Sequence, residues 1–110
     1  MPVAKKHVSS EPTRREIETL PGLSLLEFGT PWCGFCIRAE PLVTEVLAEN
    51  PAVRHIKIAD GSGRRLGRLF GVKLWPTLIF IKDGKEFARL VRPFNAEVIR
   101  TALARSPSLS

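Results

Sequence analysis

Cys33 and Cys36 are the two cysteines of the chain, separated by Gly34 and Phe35. A pair of thiols cannot staple a chain of 110 residues, so a single Cys-x-x-Cys points to chemistry rather than to a disulfide scaffold. The spacing suits one thiol at the start of a helix and the other one turn further in. A helix N-terminus carries partial positive charge and free N–H groups, which favour a thiolate. Cys33 is therefore expected to be the exposed nucleophile of lowered pKa. Cys36 is expected to be buried, and close enough to attack a mixed disulfide formed on Cys33. Attack, mixed disulfide and resolution are the steps of thiol–disulfide exchange. Glu27 is the second residue of interest, a carboxylate inside the apolar run Leu23–Phe28. Either the strand twists and carries it to solvent, or it is a buried acid.

The elements that must hold these residues are written as patterns. Pro12 opens a helical stretch through Leu20, with Thr13 as its cap and Pro21-Gly22 as its end. Leu23–Phe28 reads as a buried strand and Gly29-Thr30-Pro31 as a loop. A helix begins near Cys33 and runs to about Glu49, with Ile37, Leu42, Val43, Val46 and Leu47 on its apolar stripe and Pro41 kinking it. Val53–Ala59 is a strand, and Arg64–Phe70 is a short helix closed by Gly71. Thr77–Ile81 and Glu86–Val91 form a hairpin about Asp83-Gly84. Asn95 caps a terminal helix over Ala96–Arg105. This order predicts an α/β fold with a mixed central sheet covered on both faces. Residues 13–105 are expected to form the single domain, 1–12 a flexible segment or an edge strand near Lys5–Val8, and 106–110 a flexible tail.

The segment Glu27-Phe28-Gly29-Thr30-Pro31-Trp32-Cys33-Gly34-Phe35-Cys36 resembles the active site of the thioredoxin superfamily. Pro41 stands where the family's active-site helix kinks. Trp75-Pro76-Thr77 is similar to the family's cis-proline strand, and Lys82-Asp83-Gly84 to the hairpin turn that follows. The resemblance covers residues 13–105 and implies a thioredoxin-like three-layer α/β/α sandwich. It implies that a cis bond before Pro76 holds the Trp75 backbone beside the cysteines, where an extended substrate can pair with it. It implies that Glu27 is a buried acid beneath Cys36. Burial without a partner raises a carboxyl pKa, which would let Glu27 relay the proton Cys36 loses. Thioredoxins often place a lysine near this acid; by spacing, His55 is expected there instead. Trp32 is expected to pack over the dithiol, and Gly34 to permit the tight entry turn. Phe35 carries no charge to stabilise the Cys33 thiolate, which argues for a more reducing site than an isomerase's. Arg92 takes the place of a glycine that lines the family's substrate groove, so with Trp75, Phe35 and Trp32 the groove should be bulkier and more cationic. The implied activity is reduction of protein disulfides. Its only redox group is the Cys33–Cys36 pair, with electrons from an upstream reductase.

Composition narrows the alternatives. Apolar residues make up 44% and charged residues 25%, which is ordinary globular usage and excludes disorder, collagen and coiled coil. No apolar run approaches the roughly 18 residues that span a bilayer, and Met1–His7 lacks the apolar stretch of a secretory leader. A cytoplasmic protein without a membrane partner is therefore expected. The net charge of +6 is uneven: residues 1–60 carry −1 and residues 61–110 carry +7. That asymmetry fits either simple solubility or an anionic protein partner. Gly61–Arg68 lacks the Gly-Lys-Ser/Thr of a phosphate loop and has no aromatic platform, so nucleic acid is not expected. Cys33, Cys36, His7 and His55 have no zinc-finger spacing, and no metal is expected. The rival readings are a non-catalytic or dedicated-partner adaptor of the same fold and a disulfide isomerase or oxidase.

Overall fold

In the computed structural model, which describes residues 11–107, helices and strands alternate in the expected order. They are α1 (Arg14–Glu18), β1 (Leu23–Gly29), α2 (Gly34–Glu49), β2 (Arg54–Ala59), α3 (Leu66–Leu69), β3 (Thr77–Lys82), β4 (Lys85–Val91) and α4 (Ala96–Leu103). The edge strand expected near Lys5–Val8, and all but the first residues of the expected tail, lie outside the described residues.

Three helices are shorter than their patterns suggest, each for a local reason. Thr13 and Glu16 start α1 with a reciprocal capping box: the Glu16 N–H donates to Thr13 Oγ1 at 3.0 Å and the Thr13 N–H to Glu16 Oε1 at 2.8 Å. The helix then ends at Glu18, before Pro21-Gly22, where Gly22 turns the chain at φ +74. α3 starts two residues late because its cap comes from elsewhere in the chain. Glu11 Oε1 accepts both the Arg65 and the Leu66 N–H at 2.9 Å. α4 ends at Leu103, after which the Arg105 and Ser106 N–H groups bond three residues back rather than four. Its start is as expected, with Asn95 Oδ1 accepting the Val98 N–H at 2.9 Å.

The strand order is β2-β1-β3-β4, with β1 parallel to β2 and the other neighbours antiparallel. β1 is thus an inner strand, and side chains of opposite parity leave it toward two different cores. Leu25 faces α2 and α4 in a cluster with Val43, Val46, Leu78, Phe80 and Ile99. Leu26 and Phe28 face α1 and α3, with Ile17, Ile58, Leu66, Phe70 and Ile79. These are the layers of an α/β/α sandwich, as the sequence patterns imply. The β3–β4 turn has Asp83 at φ 49 and Gly84 at φ 84, the left-handed pair that matches the twist of a two-residue hairpin. The turn is also docked: the Gly22 N–H donates to Asp83 Oδ1 at 2.7 Å, and any side chain at Gly84 would collide with the Glu18 carbonyl.

This frame places the site. The C-terminal end of β1 leads through Thr30–Trp32 directly into α2, so Glu27 and the two cysteines share one strand–loop–helix unit. The segment before β3 and the residue after β4 meet there from the other side, because the Arg92 N–H donates to the Pro76 carbonyl at 3.0 Å.

Candidate active site

Cys33 is the N-cap of α2, with extended backbone (φ −85, ψ 122). Its sulfur accepts the Cys36 N–H at 3.2 Å. That bond satisfies one of the free donors of the first turn and places a dipole on the sulfur. Both cysteines are free thiols. The expectation that Cys33 is exposed is corrected: it is only 9% exposed, close to the 7% of Cys36. A capping side chain folds back over the first turn instead of projecting outward. The exposure passes to its neighbours, Trp32 at 73% and Phe35 at 45%. The two thiols still differ in environment. Burial, together with the hydrogen bond to Cys33, pushes the Cys36 thiol up to about 12, and a hydrogen bond from the Thr30 backbone opposes this only in part.

Glu27 is 3% exposed, since an inner strand covered on both faces leaves a twist no route to solvent. His55 Nε2 lies 2.7 Å from Glu27 Oε1, and with its proton on that nitrogen it donates to the carboxylate. The acid is therefore buried with a partner, not without one. His55 is thus beside the acid as expected, and a lysine that the sequence reading did not place there stands on the same side of the sheet. Lys57 is the register partner of Glu27 across the parallel pair, is buried, and holds its Nζ 3.6 Å from Glu40 Oε2. His55 and Lys57 have the same parity on β2, so both face the acid's side of the sheet. That parity was visible in the sequence, but the register that aligns it with Glu27 was not. A cavity of about 40 Å³ is lined by Glu27, Thr30, Cys36 and Lys57 among others. Thr30 Oγ1 is buried with no partner among the described residues. A polar space of that size suffices for a water.

The opposite wall is aromatic. The Trp75–Pro76 bond is cis, Pro76 is buried and Trp75 half-buried. Trp32 meets Trp75 edge to face at 5.8 Å between ring centroids. Trp32 thus stands out from the surface and leans on Trp75. The Trp75 indole N–H donates to Asp60 Oδ2 at 2.9 Å. Asp60 is a site-supporting residue that the sequence presents only as the start of a turn. The Arg92 guanidinium lies 3.9 Å from the Phe35 ring centroid, and its Nε–H donates to the Trp75 carbonyl at 2.8 Å. Gly34 has no left-handed φ, and a Cβ there would meet nothing within 4 Å. The entry turn therefore does not require glycine, and the residue leaves open space at the helix tip. Among the described residues no group of three or more His, Cys, Asp and Glu side chains could hold a metal ion, and no helix is long and apolar enough to cross a membrane.

Comparisons with known proteins agree with this geometry. The thioredoxin family model matches residues 4–105. The thioredoxin of Chlamydia muridarum is 41% identical over 70 residues, covering 64% of this chain and 69% of that protein. The structure of thioredoxin 2 from Pseudomonas aeruginosa PAO1 in its reduced form superposes with a TM-score of 0.81 at 51% identity, covering 89% of this chain and 91% of that one. The structure of Fasciola hepatica thioredoxin superposes with a TM-score of 0.69 at 29% identity, covering 84% and 86%.

Proposed function

Because the chain belongs to the thioredoxin family, and so to the protein disulfide oxidoreductases that work through a redox-active disulfide without a cofactor, we propose that it is a reductase acting through Cys33-Gly34-Phe35-Cys36. The observation that carries this reading is the unequal setting of two adjacent thiols. Cys33 has a helix N–H on its sulfur, while Cys36 is a buried thiol held protonated.

In the first step the Cys33 thiolate attacks one sulfur of a substrate disulfide. A Cys33–substrate bond forms, the substrate S–S bond breaks, and the departing thiolate takes a proton from solvent. In the second step Cys36 attacks Cys33 Sγ. The Cys33–Cys36 disulfide forms, the mixed disulfide breaks, and the second substrate thiol leaves. Two electrons have then passed from the protein to its substrate. Cys36 must lose its proton as it attacks. Glu27, steadied by His55, is the base that receives it, by way of a water in the cavity beside Thr30. Trp75 and Pro76 present the substrate segment, with Trp32, Gly34, Phe35 and Arg92 around it. The oxidised pair is returned to the dithiol by an upstream reductase, which makes the protein a carrier in electron transport and redox homeostasis of a reducing compartment such as the cytoplasm. The surplus positive charge of residues 61–110 suits an anionic protein partner, and electrostatic steering would speed that encounter.

Mixing the fully reduced chain with a disulfide-bonded protein is the test. One substrate disulfide should open for each chain that loses two hydrogens, with Cys33 and Cys36 found joined by mass spectrometry. Oxidation of the chain with no thiols appearing in the substrate would rule the reading out.

A further inference from the structure

Arg92 is a residue that should not be where it is on backbone grounds alone. It follows the last residue of β4 at φ 52, a left-handed conformation that glycine adopts far more readily than any side chain. Its guanidinium is nevertheless held in place twice, by the Trp75 carbonyl at 2.8 Å and by the face of Phe35 at 3.9 Å. Phe35 and Trp32 flank Cys33-Gly34 in the chain, and Trp32 leans on Trp75. A chain of contacts, Trp32 to Trp75 to Arg92 to Phe35, thus joins the two residues that flank Cys33-Gly34.

Among the described residues the charge of Arg92 has no counter-ion. The Trp75 carbonyl takes the Nε–H of Arg92, and none of its remaining N–H groups has a hydrogen-bond or carboxylate partner among the described residues. Arg38, on the next turn of α2, lies 5.5 Å from the same Phe35 ring and is likewise without a carboxylate. Three arginines elsewhere do have carboxylate partners: Arg100 with Glu45 and Glu49, Arg89 with Glu86, Arg14 with Glu18. The nearby acids are engaged elsewhere, Asp60 with the Trp75 indole and Glu40 with Lys57. Both guanidinium groups are exposed and lie against the ring of Phe35, two residues from Cys33 in the chain, and an exposed, unpaired guanidinium is suited to bind a carboxylate.

We propose that Arg92 is a specificity-determining residue that selects disulfides bordered by an acidic side chain, a proposal that rests on the reductase reading above. A substrate segment entering beside Trp75 competes with the Arg92 Nε–H for that carbonyl. An acidic neighbour of the substrate cysteine gives the displaced guanidinium a new partner, whereas a neutral neighbour does not. Arg38 adds to the local field without touching Trp75.

The test uses the reduced full chain and two synthetic peptides. Each peptide carries one intramolecular disulfide, and they differ only in having Glu or Gln next to one cysteine. Oxidation of the dithiol is followed by the fluorescence of Trp32 and Trp75. At low salt the Glu peptide should react about tenfold faster, the scale of one charge-assisted hydrogen bond open to solvent, and the gap should narrow as salt is added. Glycine fits the backbone of residue 92 without strain, so Arg92→Gly should fold. In it the Glu/Gln ratio should fall to within about twofold of unity, as expected once the paired charge is gone. The Gln peptide should react faster than with wild type, because the carbonyl is free. Arg92→Lys should retain part of the preference. Equal wild-type rates for the two peptides, or a ratio unchanged in Arg92→Gly, would overturn the assignment of Arg92. Failure of the wild type to reduce either peptide would instead bring down the reductase reading, and this proposal with it.

Discussion

Cys36→Ser is expected to convert the protein from a catalyst into a trap. The substitution leaves Cys33 at the N-cap and leaves the backbone N–H that bonds its sulfur, so the first attack proceeds. No second thiol then lies within reach to break the mixed disulfide. Turnover of protein disulfides should fall by at least about a thousandfold, as when one member of a group acting as a unit is removed. Substrate should accumulate as a covalent adduct on Cys33, visible by mass spectrometry and released by added thiol. Cys33→Ser removes the nucleophile itself, so it should lose turnover to the same degree without forming an adduct. A Cys36→Ser protein that turns over normally, or an adduct that forms equally on Cys36 in Cys33→Ser, would reverse the assignment of attacker and resolver.

Glu27→Gln should slow the second step and spare the first. Glutamine keeps the shape of the side chain and a hydrogen-bonding group for His55, so the buried strand is minimally disturbed. It cannot accept the Cys36 proton. The largest influence on that thiol is burial, which raises it and persists when Cys33 is tied up in a mixed disulfide. Resolution at neutral pH should therefore slow by about a hundredfold, the lower end of general-base catalysis. The sign of the pH dependence follows. Cys36 lies well above neutral pH, so more of it ionises unaided as pH rises. The variant's resolution rate should climb about tenfold per pH unit, the slope of one thiol titrating below its pKa. The wild type, with its base in place, should climb less steeply. Stopped-flow measurement of mixed-disulfide formation and decay separates the two steps. Equal slowing of both would remove Glu27 from the proton path.

The features that could be read from the sequence are those set by local chemistry. The hairpin follows from Asp83-Gly84, the cap of α4 from Asn95, and the burial of β1 from its apolar run. Glu27 and His55 could be paired because both sit on neighbouring apolar strands. Features that depend on distant parts of the chain were not legible. Glu11 shortens α3 by capping it from 55 residues away. Lys57 faces Glu27 only through the parallel register of β1 and β2. The shielding of Cys33 depends on which way a capping side chain turns, and residue type does not encode that. The bridge from Arg92 to Phe35 and Trp75 joins three separate segments. Its charge was readable in advance, but not that no carboxylate among the described residues pairs with it.

The central claim is that the Cys33–Cys36 pair gives electrons to protein disulfides, and its reduction potential tests this most directly. The full chain would be equilibrated with thiol buffers of graded potential and the fraction of dithiol read after acid quench and alkylation. The account predicts a single two-electron transition near about −270 mV, where reductases of this type lie. A transition near about −180 mV or higher, the region of disulfide isomerases and oxidants, would contradict it.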